Sequence, residues 1–206
     1  MAETILTSPE VTTEVIQDQY ILMSGVIANI LRDLFSDTAR LPQSVRGLTY
    51  SSNIQQSRID IGLREQILKQ NWQSRPAIVV RPNSVTTRRM GIGEARKMMF
   101  RPAETDYHNI LYIASHTVMC LSASETESMS MAAVGQKHFN VFQHQIRQAL
   151  CMLRLRVGEI GQPGLLQEAR QVYATPFTIG YAYDQPFAVY KIGPKVRFIN
   201  VNAETK

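Results

Sequence analysis

The run NILYIASHTVMCL, Asn109 to Leu121, constrains the fold more than any other part of this 206-residue sequence. In an extended chain successive side chains point to opposite faces. One face then carries Ile110, Tyr112, Ala114, His116, Val118 and Cys120, and the other Leu111, Ile113, Ser115, Thr117, Met119 and Leu121. Apolar groups stand on both faces, so the strand is expected at the centre of a sheet and covered on both sides.

SASETES (122–128) stops that strand and starts a helix. Ser124 with Glu127 three residues on has the form of a capping box, and Glu125 adds negative charge to the first turn. Met131, Gly135, Phe139, Phe142, Ile146, Leu150 and Leu153 then follow at spacings of three and four, which predicts a long helix over about 125–151. A second long helix, about 13–36, is predicted from Ile16, Tyr20, Met23, Ile27, Ile30 and Leu34. Thr12 or Thr13 would cap it and Leu41-Pro42 would close it off. Ile21, Leu22, Val26 and Leu31 widen its apolar surface beyond one stripe, so burial on two sides is expected, the second against another subunit.

The remaining signals are for strands. A strand is predicted near 58–64, and AIVVR (77–81) reads as a buried strand ending at Pro82-Asn83. Gly161-Gln-Pro-Gly164 is a turn, Val172 to Tyr183 is rich in strand formers, and Asp184-Gln-Pro186 has the form of a hairpin loop. Phe187 to Val201 would return along the sheet, with Gly193-Pro194 suiting an edge, so a C-terminal hairpin over about 172–201 is expected. The fold class is α+β, with a mixed, mainly antiparallel sheet covered by two long helices. A single domain over 1–206 is expected, with a long basic loop or hairpin arm at about 83–106. With 44% apolar residues, a chain of this size builds a core without disulfide or metal.

Catalytic patterns are missing from the sequence. His138 and His144 are six apart, no His-Glu-x-x-His exists, and no Gly-x-Ser-x-Gly elbow appears. Cys120 and Cys151 form no Cys-x-x-Cys and sit in apolar company, which reads as two buried, inert thiols in a reducing compartment. Glu125 and Glu127 are explained by the helix start. A non-enzymatic role is therefore expected, with no cofactor and no metal. MAETILTSPEV lacks a basic region followed by an apolar run, and no window approaches the ~20 apolar residues of a membrane span. No signal peptide and no membrane partner are expected, and the chain is expected to be soluble and intracellular where it is made.

TTRRMGIGEARKMMFR (86–101) carries a net charge of +4 in a chain whose formal net charge is +5. Gly91-Ile-Gly93-Glu lacks the spacing and terminal Lys-Ser/Thr of a P-loop, and no third glycine follows as in a dinucleotide fingerprint. Two functional readings stay open. The basic residues would contact nucleic-acid phosphates, or the segment is an arm that buries Met90, Ile92, Met98, Met99 and Phe100 against a partner while its charges select that partner. The bland alternative is a basic surface loop with no role. The candidate interface residues are Arg88, Arg89, Met90, Ile92, Arg96, Lys97, Met99 and Arg101.

Over roughly residues 14 to 201 the pattern resembles the tail-terminator (tail-completion, or neck) subunits of tailed bacteriophages. An N-terminal helix leads to RPAIVVR (75–81), and a long loop precedes a strand ending in HTVMCLSASETES (116–128), which passes directly into a long helix. IGQPGLL (160–166) and FTIGYAYDQPFAVY (177–190) close the domain. Residues 43–72 have no counterpart in that pattern. The resemblance implies a virion structural protein, made in the host cytoplasm, that forms a homo-oligomeric ring, typically a hexamer. Such a ring ends polymerisation of the tail tube and joins it to the head-side connector. The implied partners are further copies of itself, the tail tube protein and the head-side connector or adaptor, with non-specific contact to DNA in the lumen. A head-completion adaptor or stopper of the neck, and a nucleic-acid-binding module using 86–101, are the alternatives.

Overall fold

The computed structural model describes residues 14–63, 76–89, 105–166 and 169–190. Their order is α1 (Glu14–Ser36), β1 (Asp60–Leu63), β2 (Ala77–Arg89), β3 (Thr105–Ser122), α2 (Glu125–Val141), α3 (Gln143–Ala149), β4 (Arg154–Ile160), β5 (Gly164–Leu166) and β6 (Ala169–Tyr190). The six strands form one sheet in the order β1-β2-β3-β6-β4, with β5 also on β6. Only β1 and β2 run parallel; every other pair is antiparallel. This is an α+β fold, a mixed and mostly antiparallel sheet packed against helices.

β3 is central, as its two-sided pattern predicts, flanked by β2 and β6. Its even-numbered side chains face α1 and α2, where Tyr112, Ala114, His116, Val118 and Cys120 are buried. They share the main core with Ile27, Leu31, Leu34 and Phe35 of α1, Met131 and Phe139 of α2, and Phe177, Ile179 and Tyr181 of β6. The odd-numbered face departs from expectation. Its buried residues are confined to one end, where Leu121 joins Ala77, Val79 and Val172 in a small second cluster. From Met119 back to Leu111 that face is half-exposed or open.

α1 buries Ser24, Ile27, Ala28, Leu31, Leu34 and Phe35, while Leu22 is 62% exposed. One side of the helix is therefore buried within this chain, and the side bearing Leu22 is open. It ends at Ser36, five residues before Leu41-Pro42, and Asp37 closes the turn by accepting from the Ala39 amide and pairing with Arg40 at 2.9 Å. Arg32 anchors α1 to β1, donating from Nε and Nη2 to the Ile61 carbonyl at 3.1 and 2.9 Å with its guanidinium over the Tyr50 ring.

Several expectations are corrected. The strand read as 77–81 does not end at Pro82-Asn83 but continues to Arg89 through a register shift between Pro82 and Val85. A bulge at the sheet edge admits a proline that a central ladder would reject. Asp184-Gln-Pro186 is no hairpin loop: β6 runs unbroken through it, with Asp184, Gln185 and Pro186 paired to Leu111, Ile110 and Asn109. Continuous pairing along the whole 18-residue length of β3 overrides the local turn preference. The return strand expected from Phe187 to Val201 is likewise replaced, up to Tyr190, by this one strand; 191–201 lie outside the described residues.

The helix expected over 125–151 is two helices, broken at Phe142. α3 fully buries no residue; Ile146 packs half-buried against the main core and Gln143 donates to the Leu155 carbonyl of β4. It ends in a Schellman arrangement, with the Met152 amide donating to the Arg147 carbonyl and the Cys151 amide to Gln148. Cys151 fills the left-handed position there at φ 51°, and its thiol is exposed rather than buried as expected. Cys120 is buried, and burial pushes its thiol pKa up. Ser124 makes no side-chain cap bond. Glu127 instead accepts from Ser122 Oγ, which itself accepts from the Ser124 amide at 3.1 Å, so the end of β3 holds the carboxylate that the capping box would have used. β4 was not anticipated at all.

Candidate interaction surface

β1 pairs only with Ala77–Val80, so from Arg81 onward β2 is the edge of the sheet. Every side chain from Arg81 to Arg88 is exposed. Proline, a bulge and arginines at such an edge are the features that keep an unpaired strand from indiscriminate pairing. Val85 is 40% exposed there, and Ile113, whose strand partner is Thr86, is 38% exposed. Asn83 ties the bulge down, donating to Ser115 Oγ at 3.3 Å and accepting from Thr117 Oγ1 at 3.0 Å.

The predicted interface residues fall unevenly on this frame. Arg88 is exposed and paired with Leu111, and the Arg89 backbone pairs with Ile110. Both stand in the ladder, not in a loop. Met90, Ile92, Arg96, Lys97, Met99 and Arg101 lie outside the described residues. The expected arm at 83–106 is thus, in its described parts, two antiparallel strands leading into and out of 90–104.

The opposite margin of the sheet is formed by β4 and β5. Leu153, Leu165, Val141 and Phe142 are exposed near it. A shallow depression between α2 and the β4–β5 turn is lined by Met129, Ala133, Ile160 and Pro163, with Glu125, Thr126, Ser130 and Gln162. The two margins differ in composition: the β2 edge carries one exposed valine among polar and basic residues, whereas the β4–β5 margin exposes Leu153 and Leu165 beside the charged Arg154, Arg156 and Glu159.

One constellation that sequence spacing does not show lies in the core. Ser24 Oγ and His116 Nε2 share a 2.7 Å hydrogen bond, and the Tyr181 hydroxyl sits 3.2 Å from His116 Nδ1. Ser24 and His116 are 92 positions apart in sequence, so no local motif brings them together. Serine on histidine is the start of a nucleophilic couple, but its third member here is a tyrosine, and His116 is 0% and Ser24 3% exposed. Burial lowers the His116 pKa to about 4 and keeps the ring neutral. The His116 and Tyr181 rings stack at 5.6 Å, and Tyr181 continues into Tyr183 and Tyr112. Closed to solvent, this network fastens α1 to β3 and β6.

Among the described residues no cluster of three or more His, Cys, Asp or Glu side chains could hold a metal, and no helix is long and apolar enough to cross a membrane. No protein-family model matches the sequence, and no curated protein matches it.

Proposed function

We propose that this chain is a virion structural protein, a ring-forming tail-terminator or neck subunit of a tailed bacteriophage. It would cap the tail tube, end its polymerisation and join it to the head-side connector. The observation that best supports this reading is the pair of unlike, uncovered sheet margins. A closed ring of identical subunits needs two different complementary surfaces on each, because its contacts are head-to-tail. The exposed edge of β2 with Val85, and the β4–β5 margin where Leu153 and Leu165 are exposed beside Arg154 and Arg156, are the two surfaces this reading assigns to that contact. Arg88 and Arg89 stand where β2 enters the basic segment 90–101, and that segment is the arm assigned to the tube or connector.

The mechanism is steric. One face of the ring matches the last ring of tube subunits, and the other offers no template for a further one. Light scattering on the size-exclusion peak, followed by negative-stain images, should give closed rings of about six subunits. Reversing Arg88, Arg89, Arg96 and Lys97 together should leave the fold intact and abolish docking to the tube. A monomer at every concentration that also leaves polymerising tube protein unaffected overturns the reading.

A further inference from the structure

The open half of the sheet, opposite the helices, has a shape and chemistry that the edge and arm do not use. Residues paired directly across a ladder point to the same face. Arg81 is paired with Thr117 and Thr117 with Thr178; Arg156 with Gly180 and Gly180 with Ser115; Arg154 with Ala182 and Ala182 with Ile113. All these side chains therefore share the face that carries no helix contact. Arg81 on β2 and Arg154 and Arg156 on β4 are exposed, and the residues between them on β3 and β6 are small or hydroxyl-bearing except Ile113, which lies in line with Arg154. The result is a trough about 14 Å across, three strand spacings of about 4.8 Å each. Its floor is Ser115, Thr117, Thr178, Gly180 and Ala182, with Ile113 at the Arg154 end, and arginines stand on both rims.

None of these arginines is neutralised by a described neighbour, since the only ion pair among the described residues joins Arg40 to Asp37. The acid on β4, Glu159, sits within the register irregularity between Val157 and Ile160. A protein partner would need apolar or aromatic anchors at the centre of its contact. The centre of the floor offers hydroxyls and a glycine instead, beside the Asn83 amide that bonds Ser115 and Thr117, and its one large apolar side chain, Ile113, stands at the Arg154 end. Arginine with Ser, Thr and Asn is the set that contacts sugar and phosphate. No aromatic side chain of the described residues stands on this floor for unpaired bases to stack on, which separates it from single-strand platforms.

We infer that the open face between Arg81 and Arg154/Arg156 is a sequence-independent contact surface for the phosphate backbone of duplex nucleic acid. This site is distinct from the arm at 86–101 and does not depend on ring formation. The probe is a fluorescent 20-base-pair duplex, titrated with the full chain by anisotropy over a series of salt concentrations. The wild-type protein should bind at low salt, with log affinity falling linearly against log salt. In the triple variant Arg81→Gln, Arg154→Gln, Arg156→Gln the slope should fall by about three, and in Arg156→Gln alone by about one. An arm variant, Arg96→Gln with Lys97→Gln, should keep the three units that the triple variant loses. Circular dichroism melting of each variant verifies that it is folded, and the single variant decides the matter if the triple does not fold. Absence of duplex binding at low salt overturns the inference. So does an unchanged slope in the sheet variants, or an acidic peptide of equal charge that binds more tightly than the duplex.

Discussion

Along β3 the two faces of one strand meet different surroundings. Its even positions from Tyr112 to Cys120 are buried under α1 and α2, and two hydrogen bonds fix the imidazole among them. Its odd positions from Leu111 to Met119 are half-exposed or exposed, although leucine, isoleucine and methionine are among them. The covered face is apolar, with its polar groups paired, and it supplies the packing that fixes the fold. The open face sets arginines around small and hydroxyl-bearing residues and leaves Leu111 and Met119 half-exposed and Ile113 exposed. Hydrophobic content of a strand says how much it can bury; what the rest of the chain places over each face decides how much it does bury.

That contrast can be broken most forcefully at Phe177, which lies under α2 on the covered face. Phe177→Ala should cost about 3–5 kcal/mol by loss of burial and creation of a cavity, read as a shift in the urea midpoint at constant slope. His116 comes next. Its folded-state pKa is near 4 against 6.5 ordinarily, so the unfolded chain takes up the proton first as pH falls. Its contribution is fully present above pH 6.5, is lost between pH 6.5 and about 4 to the extent of roughly 3 kcal/mol, and then levels off. His116→Gln should remove that part of the pH dependence, measured by urea unfolding at pH 7.5 and 4.5; an unchanged difference would sink the assignment.

Two glycines compare the faces directly. A Cβ on Gly135 would stand 3.2 Å from Phe177 Cζ and 3.5 Å from Leu31 Cδ2, whereas on Gly180 its nearest neighbour is the Ala114 carbonyl at 4.0 Å. Gly135→Val should therefore destabilise by about 1–3 kcal/mol through overpacking. Gly180→Val should stay within about 0.5 kcal/mol, since it adds a strand-forming side chain in open space. Equal losses at the two positions would mean that the open face is covered in solution. A loss smaller than that at Gly135 is expected at Asn83, whose two hydrogen bonds are solvent-exposed. Asn83→Ala should cost less than about 1 kcal/mol in thermal unfolding.

Much of the fold was legible because it depends on periodicity. The stripes through Ile27 and Leu34, and through Met131 and Phe139, place α1 and α2 on the core, and the two-sided pattern of 109–121 places β3 at the centre. β4 carried a fair signal, Leu155 and Val157 alternating with Arg154, Arg156 and Gly158, but the helical spacing through Leu150 and Leu153 competed with it. Asp184-Gln-Pro186 misled for the opposite reason: its local turn chemistry is genuine, and only a long neighbour on β3 makes extension the better state. Of the interface residues read from the sequence, the structure describes Arg88 and the Arg89 backbone. The arginines flanking the open trough were passed over because they come from two strands far apart in the chain.

The sequence by itself determined the α+β class, the central strand, the two main helices and the concentration of charge in 86–101, since each follows from the spacing or composition of residues close together in the chain. Tertiary structure alone decided which face of β3 is covered, that Ser24, His116 and Tyr181 meet, and that Arg81, Arg154 and Arg156 share one face of the sheet. Those outcomes rest on sheet order and register, and a one-residue slip in register would send every side chain of a strand to the other face. Such choices are made by the packing free energy of the whole sheet against its helices, to which no single segment holds the key.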